Sequence, residues 1–165
     1  MKVLGIDPGL ASTGYGVVVR RGGRLAALDG GVIATRPDLT PPRRLADLYA
    51  RINELLDAHD VDAVALEQIY FGQNARSAFA VGQARGVVVL AAGQRDLPCA
   101  DYTPQQVKGA VCGHGRADKD QVTRMVQALL GLAVAPTPDH AADALAVAIC
   151  HANHAPIDAL VAAAG

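Results

Sequence analysis

Apolar residues in the first part of the chain come in short runs broken by glycine. Residues 3–7 ("VLGID"), 14–21 ("GYGVVVRR") and 24–35 ("RLAALDGGVIAT") are rich in strand-forming residues, and only "PGLAST" and "RGG" separate them. Connections this short join antiparallel neighbours, so the spacing predicts a three-stranded meander. The period then changes. In "PPRRLADLYARINELLDAHD" (41–60), Leu45, Leu48, Ile52, Leu55 and Leu56 recur at helical spacing behind a proline start, which predicts an amphipathic helix. A fourth strand is expected at 62–68 ("DAVALEQ"), a helix at 74–95 and a fifth strand at 98–103 ("PCADYT"). A short helix should follow, with Thr103 as its cap and Pro104 in its first turn, and further helices at 117–131 and 137–154. The order predicts an α/β fold: a five-stranded mixed sheet, its first three strands antiparallel, with helices on both faces.

Length and composition fit that picture as one domain over residues 1–165. The chain is 51% hydrophobic with two Phe, four Tyr and no Trp, so its core is expected to be built from small interlocking side chains. Net charge is −1, and a polyanion partner would have to be met by local clusters. Lysine occurs only at positions 2, 108 and 119, so twelve of the fifteen basic residues are Arg, whose forked donors suit phosphate. Cys99, Cys112 and Cys150 are odd in number and widely spaced, arguing against a disulfide frame or zinc knuckle; buried thiols in a reducing compartment are expected. The apolar stretch "GVVVLAAG" (86–93) is far short of a membrane span. A soluble, cytoplasmic protein is the expectation.

The chemistry begins with two acids that end apolar runs, Asp7 after "VLGI" and Glu67 after "AVAL". Strands one and four are natural neighbours in such a sheet, which sets the carboxylates side by side, where repulsion and desolvation demand a proton or a divalent cation. His140 and Asp143, three apart in "TPDHAADALAVAICHA", share a helix face whose alanines allow close approach to the sheet. Three carboxylates and an imidazole suit a hard divalent cation. Each residue alone also has a structural reading: Asp7-Pro8-Gly9 as a turn, Glu67 as an arginine partner, Asp139 as a helix-dipole acid and His140 as a neutral packing group.

Four segments in order, "GIDPGLASTGYGVV", "ALEQIYFGQNARSAFAVGQARGVV", "YTPQQVKGAVCGHGRADKDQV" and "DHAADALAVAICH", resemble the RuvC family of Holliday junction resolvases across nearly the whole chain. The resemblance implies an RNase H-like fold and a homodimeric endonuclease that nicks two strands of four-way junction DNA symmetrically and works with the branch-migration proteins RuvA and RuvB. It implies Asp7, Glu67, His140 and Asp143 as catalytic residues and metal ligands, with aspartate in many relatives at the position of His140. Mg²⁺ or Mn²⁺, two per active site and about 4 Å apart, would activate water and stabilise the leaving oxygen. Tyr70 matches an aromatic near the junction centre, and Lys108 and Lys119 match basic positions facing DNA; Arg76, Arg85, Arg116 and Arg124 are further candidates for phosphate contacts. The glycines at 82, 86 and 93 make the 74–95 helix a candidate dimer interface, close packing on its own sheet being the alternative. The chain closes on "DALVAAAG" without the basic tail of some members, so the DNA grip is expected to depend more on the folded body.

Other readings are a non-catalytic junction-binding module and a related RNase H-like nuclease acting on RNA. "DPGLASTG" also resembles the phosphate hairpin of actin-like and sugar-kinase ATPases, but those need a second domain that 165 residues do not supply.

Overall fold

Alternation of side chains along the first strand decides which residues reach the site. The computed structural model describes residues 1–68 and 75–163, side chains included except at 75–77 and 156–163. Its elements are β1 (Lys2–Asp7), β2 (Ser12–Arg21), β3 (Arg24–Ala34), α1 (Pro41–His59), β4 (Ala63–Glu67), α2 (Ala75–Gly93), β5 (Cys99–Tyr102), α3 (Pro104–Cys112), α4 (Lys119–Leu130) and α5 (Asp139–Ala163). They form one five-stranded sheet in the order β3-β2-β1-β4-β5. The β1–β2 and β2–β3 pairs are antiparallel, while β1–β4 and β4–β5 are parallel, as the short and long connections require.

Successive side chains on β1 point to opposite faces. Leu4 and Ile6 join Val17, Ile33, Val64 and Leu66 under α1 and α2, where Leu48, Ile52, Ala84 and Val88 close one core. Val3 faces the other side and joins Val18, Ala65 and Tyr102 beneath α3, α4 and α5. Each fully buried Leu, Ile or Val contributes about 1.5–3 kcal/mol, so both layers hold the sheet from opposite sides. Asp7 shares the parity of Val3 and Gly5, and therefore points to the α5 side.

Helix α5 runs unusually close to the sheet because the residues beneath it are glycines. Gly5 pairs with Gly16 across β1–β2, and Asp7 pairs with Gly14. A Cβ on Gly5 would stand 2.1 Å from the Ala144 carbonyl oxygen, one on Gly14 would stand 2.0 Å from that of His140, and one on Gly16 would meet Leu145 at 2.6 Å. The helix answers with alanines: Ala141, Ala142, Ala144, Ala146 and Ala148 are all buried.

The element order agrees with the sequence reading, including the Thr103 cap, whose hydroxyl accepts the Gln106 N–H while Gln106 returns a bond to the Thr103 N–H. Two differences stand out. Helix α5 continues to Ala163, beyond the expected end at 154 and past Pro156. Of the cysteines, only Cys150 is buried, whereas Cys112 is half-buried and Cys99, on the short edge strand β5, is exposed. The thiols are free.

Gly5→Ala should lower Tm by roughly 3–10 °C, because backbone and not a flexible side chain fills the space of the new methyl. Gly109→Ala, in α3 where nothing lies within 4 Å of the added Cβ, should leave Tm unchanged or raise it. Thermal denaturation of both variants checks the contrast; equal effects would contradict it.

Candidate metal centre

The carboxylates meet because two parallel strands end together. The β1–β4 register runs through Ile6 opposite Leu66, and the next step sets Asp7 beside Glu67 on the α5 face. The first turns of α5 lie across Gly14 and bring His140 and Asp143 over the same spot. One ligand atom from each of Asp7, His140 and Asp143 falls within 4.8 Å of the others. His140 Nδ1 donates to Asp7 Oδ2 at 2.6 Å.

Glu67 stands beside this cluster and feels it. Burial, followed by the negative charges of Asp7 and Asp143, pushes its carboxyl up to about 7, against the opposing pull of Lys108 and Lys119. Burial also raises the Asp143 carboxyl, the Lys119 ammonium opposes that, and the Asp7 charge adds to it. Lys119 Nζ lies 3.3 Å from Asp143 Oδ2 and 3.2 Å from Asp139 Oδ2. An acid cluster that raises its own proton affinities is short of positive charge. Oxygen donors with one imidazole therefore fit a hard divalent cation.

The surroundings are a cleft of about 280 Å³ between β4, α3, α4 and α5. Val107, Val122 and Val147 give it apolar lining, and Glu67, Lys108, Lys119 and Asp143 bring charge to it. The helix caps help to aim the lysines: Thr103 starts the helix carrying Lys108, and Asp118 accepts the Gln121 N–H at 2.8 Å to start the helix that opens with Lys119.

Of the expected site residues, Asp7, His140 and Asp143 thus converge with Glu67 beside them, and Lys108 and Lys119 stand at the same cleft. Arg116 is exposed in the α3–α4 loop, and Arg124 is exposed on α4. Arg85 is engaged elsewhere, donating to Asp101 at 2.7 Å between α2 and β5. Tyr70 lies outside the described residues, as does the side chain of Arg76. Gly82, Gly86 and Gly93 have nothing within 4 Å of an added Cβ, so close packing on their own sheet is not what they serve. Their face also leaves Phe79 70% and Leu90 55% exposed.

Sequence reasoning missed the brace behind Asp7. The buried Thr13 hydroxyl donates to the Gly9 carbonyl at 2.6 Å, and the buried Thr35 hydroxyl donates to that of Leu10 at 2.6 Å. Arg44 Nε donates to Thr35 Oγ1 at 2.8 Å, tying α1 into the loop that follows Asp7. Thr13 lies at the start of β2 and Thr35 just past the end of β3, places where a threonine reads as an ordinary strand or strand-end residue; only the fold reveals what their hydroxyls bind. The Gly14-x-Gly16 alternation was a visible signal for the glycine seat.

Comparisons with known proteins agree with this geometry. The model of the family described as "Crossover junction endodeoxyribonuclease RuvC" matches residues 3–151. The protein of that description from Moorella thermoacetica is 54% identical over 156 residues, covering 94% of this chain and 93% of the relative. The RuvC structure from Thermus thermophilus is 40% identical with a TM-score of 0.88, covering 96% of this chain and 97% of that one. The T. thermophilus RuvC structure in complex with a Holliday junction substrate is 39% identical with a TM-score of 0.87, covering 95% and 96%. Fold, converging acids and near full-length similarity lead to one conclusion: the chain belongs to the RuvC family of crossover junction endodeoxyribonucleases.

Proposed function

We propose that this protein is a divalent-metal-dependent endonuclease that resolves four-way DNA junctions by symmetric hydrolysis of two strands, its residues 1–165 forming one nuclease domain. The observation that carries the reading is the convergence of Asp7, His140 and Asp143 beside Glu67 in a chain of this family. Asp7, Glu67, His140 and Asp143 would hold Mg²⁺ or Mn²⁺, two ions per site, and the bound metal supplies Lewis-acid activation of water and charge stabilisation at the leaving oxygen. The protein's own part is positional. The Asp7 carboxylate accepts the His140 Nδ1 proton, which leaves the Nε2 lone pair as the one that would hold a cation. Lys108 and Lys119 offer donors to phosphate oxygens beside the apolar lining of Val107, Val122 and Val147.

A four-way junction has near two-fold symmetry, and a two-fold dimer matches it with two identical sites. The face of α2 carrying Phe79, Gly82, Gly86 and Leu90 supports a homodimer, since large exposed apolar groups alternate there with glycines that admit close approach. Tyr70 precedes that helix in sequence and Arg76 belongs to its first turn, Lys119 lines the cleft and Arg116 sits in the α3–α4 loop, all as candidate DNA contacts. RuvA and RuvB are the proposed partners in the cytoplasm; among the described residues no helix is long and apolar enough to cross a membrane.

Incubation of a synthetic four-way junction with protein and Mg²⁺ or Mn²⁺ tests the reading. Paired, ligatable nicks at symmetric positions are expected. A mobility shift without cleavage in either metal would favour the non-catalytic binding module.

Asp7→Asn and Asp143→Asn should each reduce cleavage at least 10³-fold, on the order of a lost metal-catalysed pathway, while junction binding and Tm stay near the parent values. Unfolding of either variant, or cleavage near the parent rate, would contradict the assignment.

Glu67 must be ionised to hold a cation, and its carboxyl titrates at about 7. Metal affinity should therefore fall as pH drops through 7, approaching about tenfold per pH unit. Stability of the metal-free protein follows the other sign. The folded value lies above the ordinary 4.5, so ionised Glu67 costs nothing below about 4.5 and its full penalty above about 7. Glu67→Gln should accordingly stabilise the metal-free protein by about 1–2 kcal/mol at pH 8, after allowance for solvent screening, and by nothing near pH 4. Denaturant titrations at the two pH values measure the difference.

Leu90→Glu should give a folded monomer by sedimentation equilibrium, with single nicks replacing paired ones. An unchanged dimer would remove this face of α2 from the interface.

A further inference from the structure

Lys119 has two carboxylate partners, and they differ in what else they do. Asp143 belongs to the cluster of candidate metal ligands with Asp7 and His140, whereas Asp139, one helical turn earlier on α5, stands outside it. The ammonium lies almost midway, 3.3 Å from Asp143 Oδ2 and 3.2 Å from Asp139 Oδ2. The Asp143 side chain is 29% exposed and that of Asp139 is 74% exposed. An ammonium bound by Asp143 alone would compete with any cation for that carboxylate, because both neutralise the same charge.

We propose that Asp139 is a positioning residue that acts through Lys119: it draws the ammonium toward solvent and so keeps Asp143 available to a divalent cation. The proposal rests on the reading of Asp143 as a metal ligand. Geometry gives the lysine room to shift, because a second cleft, lined by Lys119, Asp120, Thr123, Arg124 and Asp139 with the chain around Pro136, opens on the Asp139 side of the pair. When a cation takes Asp143, Lys119 keeps a carboxylate partner in Asp139 and its remaining protons become available to a phosphate oxygen. The alternative role for Asp139 is that of a first-turn acid favouring the α5 dipole. That role does not involve Lys119, and a double-mutant cycle separates the two.

The probe is Mn²⁺ alone, without DNA, bound to the full-length protein and followed by the electron paramagnetic resonance signal of the free ion at pH 8. Lys119→Met should bind Mn²⁺ about two- to fivefold more tightly, and Asp139→Asn about two- to fivefold more weakly, the range expected for exposed ion pairs. With Lys119→Met already present, Asp139→Asn should change affinity less than about twofold. Asp139→Glu, which keeps a carboxylate within reach of the ammonium, should restore affinity to near the parent value. The proposal is overturned if Asp139→Asn weakens binding equally in both backgrounds, or has no effect in the parent. The failure of the underlying reading looks different: parent protein that binds no Mn²⁺, or Asp143→Asn that binds it as well as the parent does, removes the metal site and this role of Asp139 with it.

Discussion

Contact between the backbone of α5 and the glycines of β1 and β2 governs the site. His140 and Asp143 reach Asp7 only because the helix descends to where a Cβ on Gly5 or Gly14 would overlap its carbonyl oxygens, at 2.1 and 2.0 Å. A methyl group at either position would lift or tilt the helix by more than the tolerance of a candidate metal site whose potential ligand atoms lie within 4.8 Å of one another. The alanines of α5 and glycines of the sheet thus do for the site what larger apolar residues do for the two cores: they set a spacing, here a short one.

That spacing has an electrostatic cost, which the chain leaves partly unrelieved. Burial, and after it the charges of Asp7 and Asp143, push Glu67 up to about 7, and the opposing charge comes from Lys108 and Lys119 at the cleft, not from a buried arginine. A buried partner would stabilise the metal-free fold but would also occupy the coordination sites. Lys119, shared between Asp143 and Asp139, is the partner that a divalent cation would have to displace in the proposed site. The brace behind Asp7, built from Thr13, Thr35 and Arg44, holds backbone without spending any acid oxygen of the cluster.

Much of this was legible in the sequence because it depended on local periodicity. The meander, the α1 stripe of Leu48, Ile52 and Leu56, and the Thr103 cap were each written in a few neighbouring residues. Asp7 and Glu67 were visible as acids ending apolar runs, and His140 and Asp143 as helix neighbours. The parts that were not legible depended on partners distant in sequence. Nothing near Arg85 announced its ion pair with Asp101, and nothing near Thr35 announced that its hydroxyl would hold the Leu10 carbonyl. Cys99 resembled any small apolar residue in a strand, and its exposure follows from β5 lying at the sheet edge. Asp139 read as a helix-dipole acid until α4 placed Lys119 beside it.

If close packing of α5 on the glycine seat assembles the proposed cation site from β1, β4 and α5, anomalous diffraction from crystals soaked in Mn²⁺ should show peaks between the carboxylates of Asp7 and Asp143, with Glu67 and His140 among the ligands. Manganese bound only elsewhere on the surface, with Asp7 and Asp143 uninvolved, would contradict it.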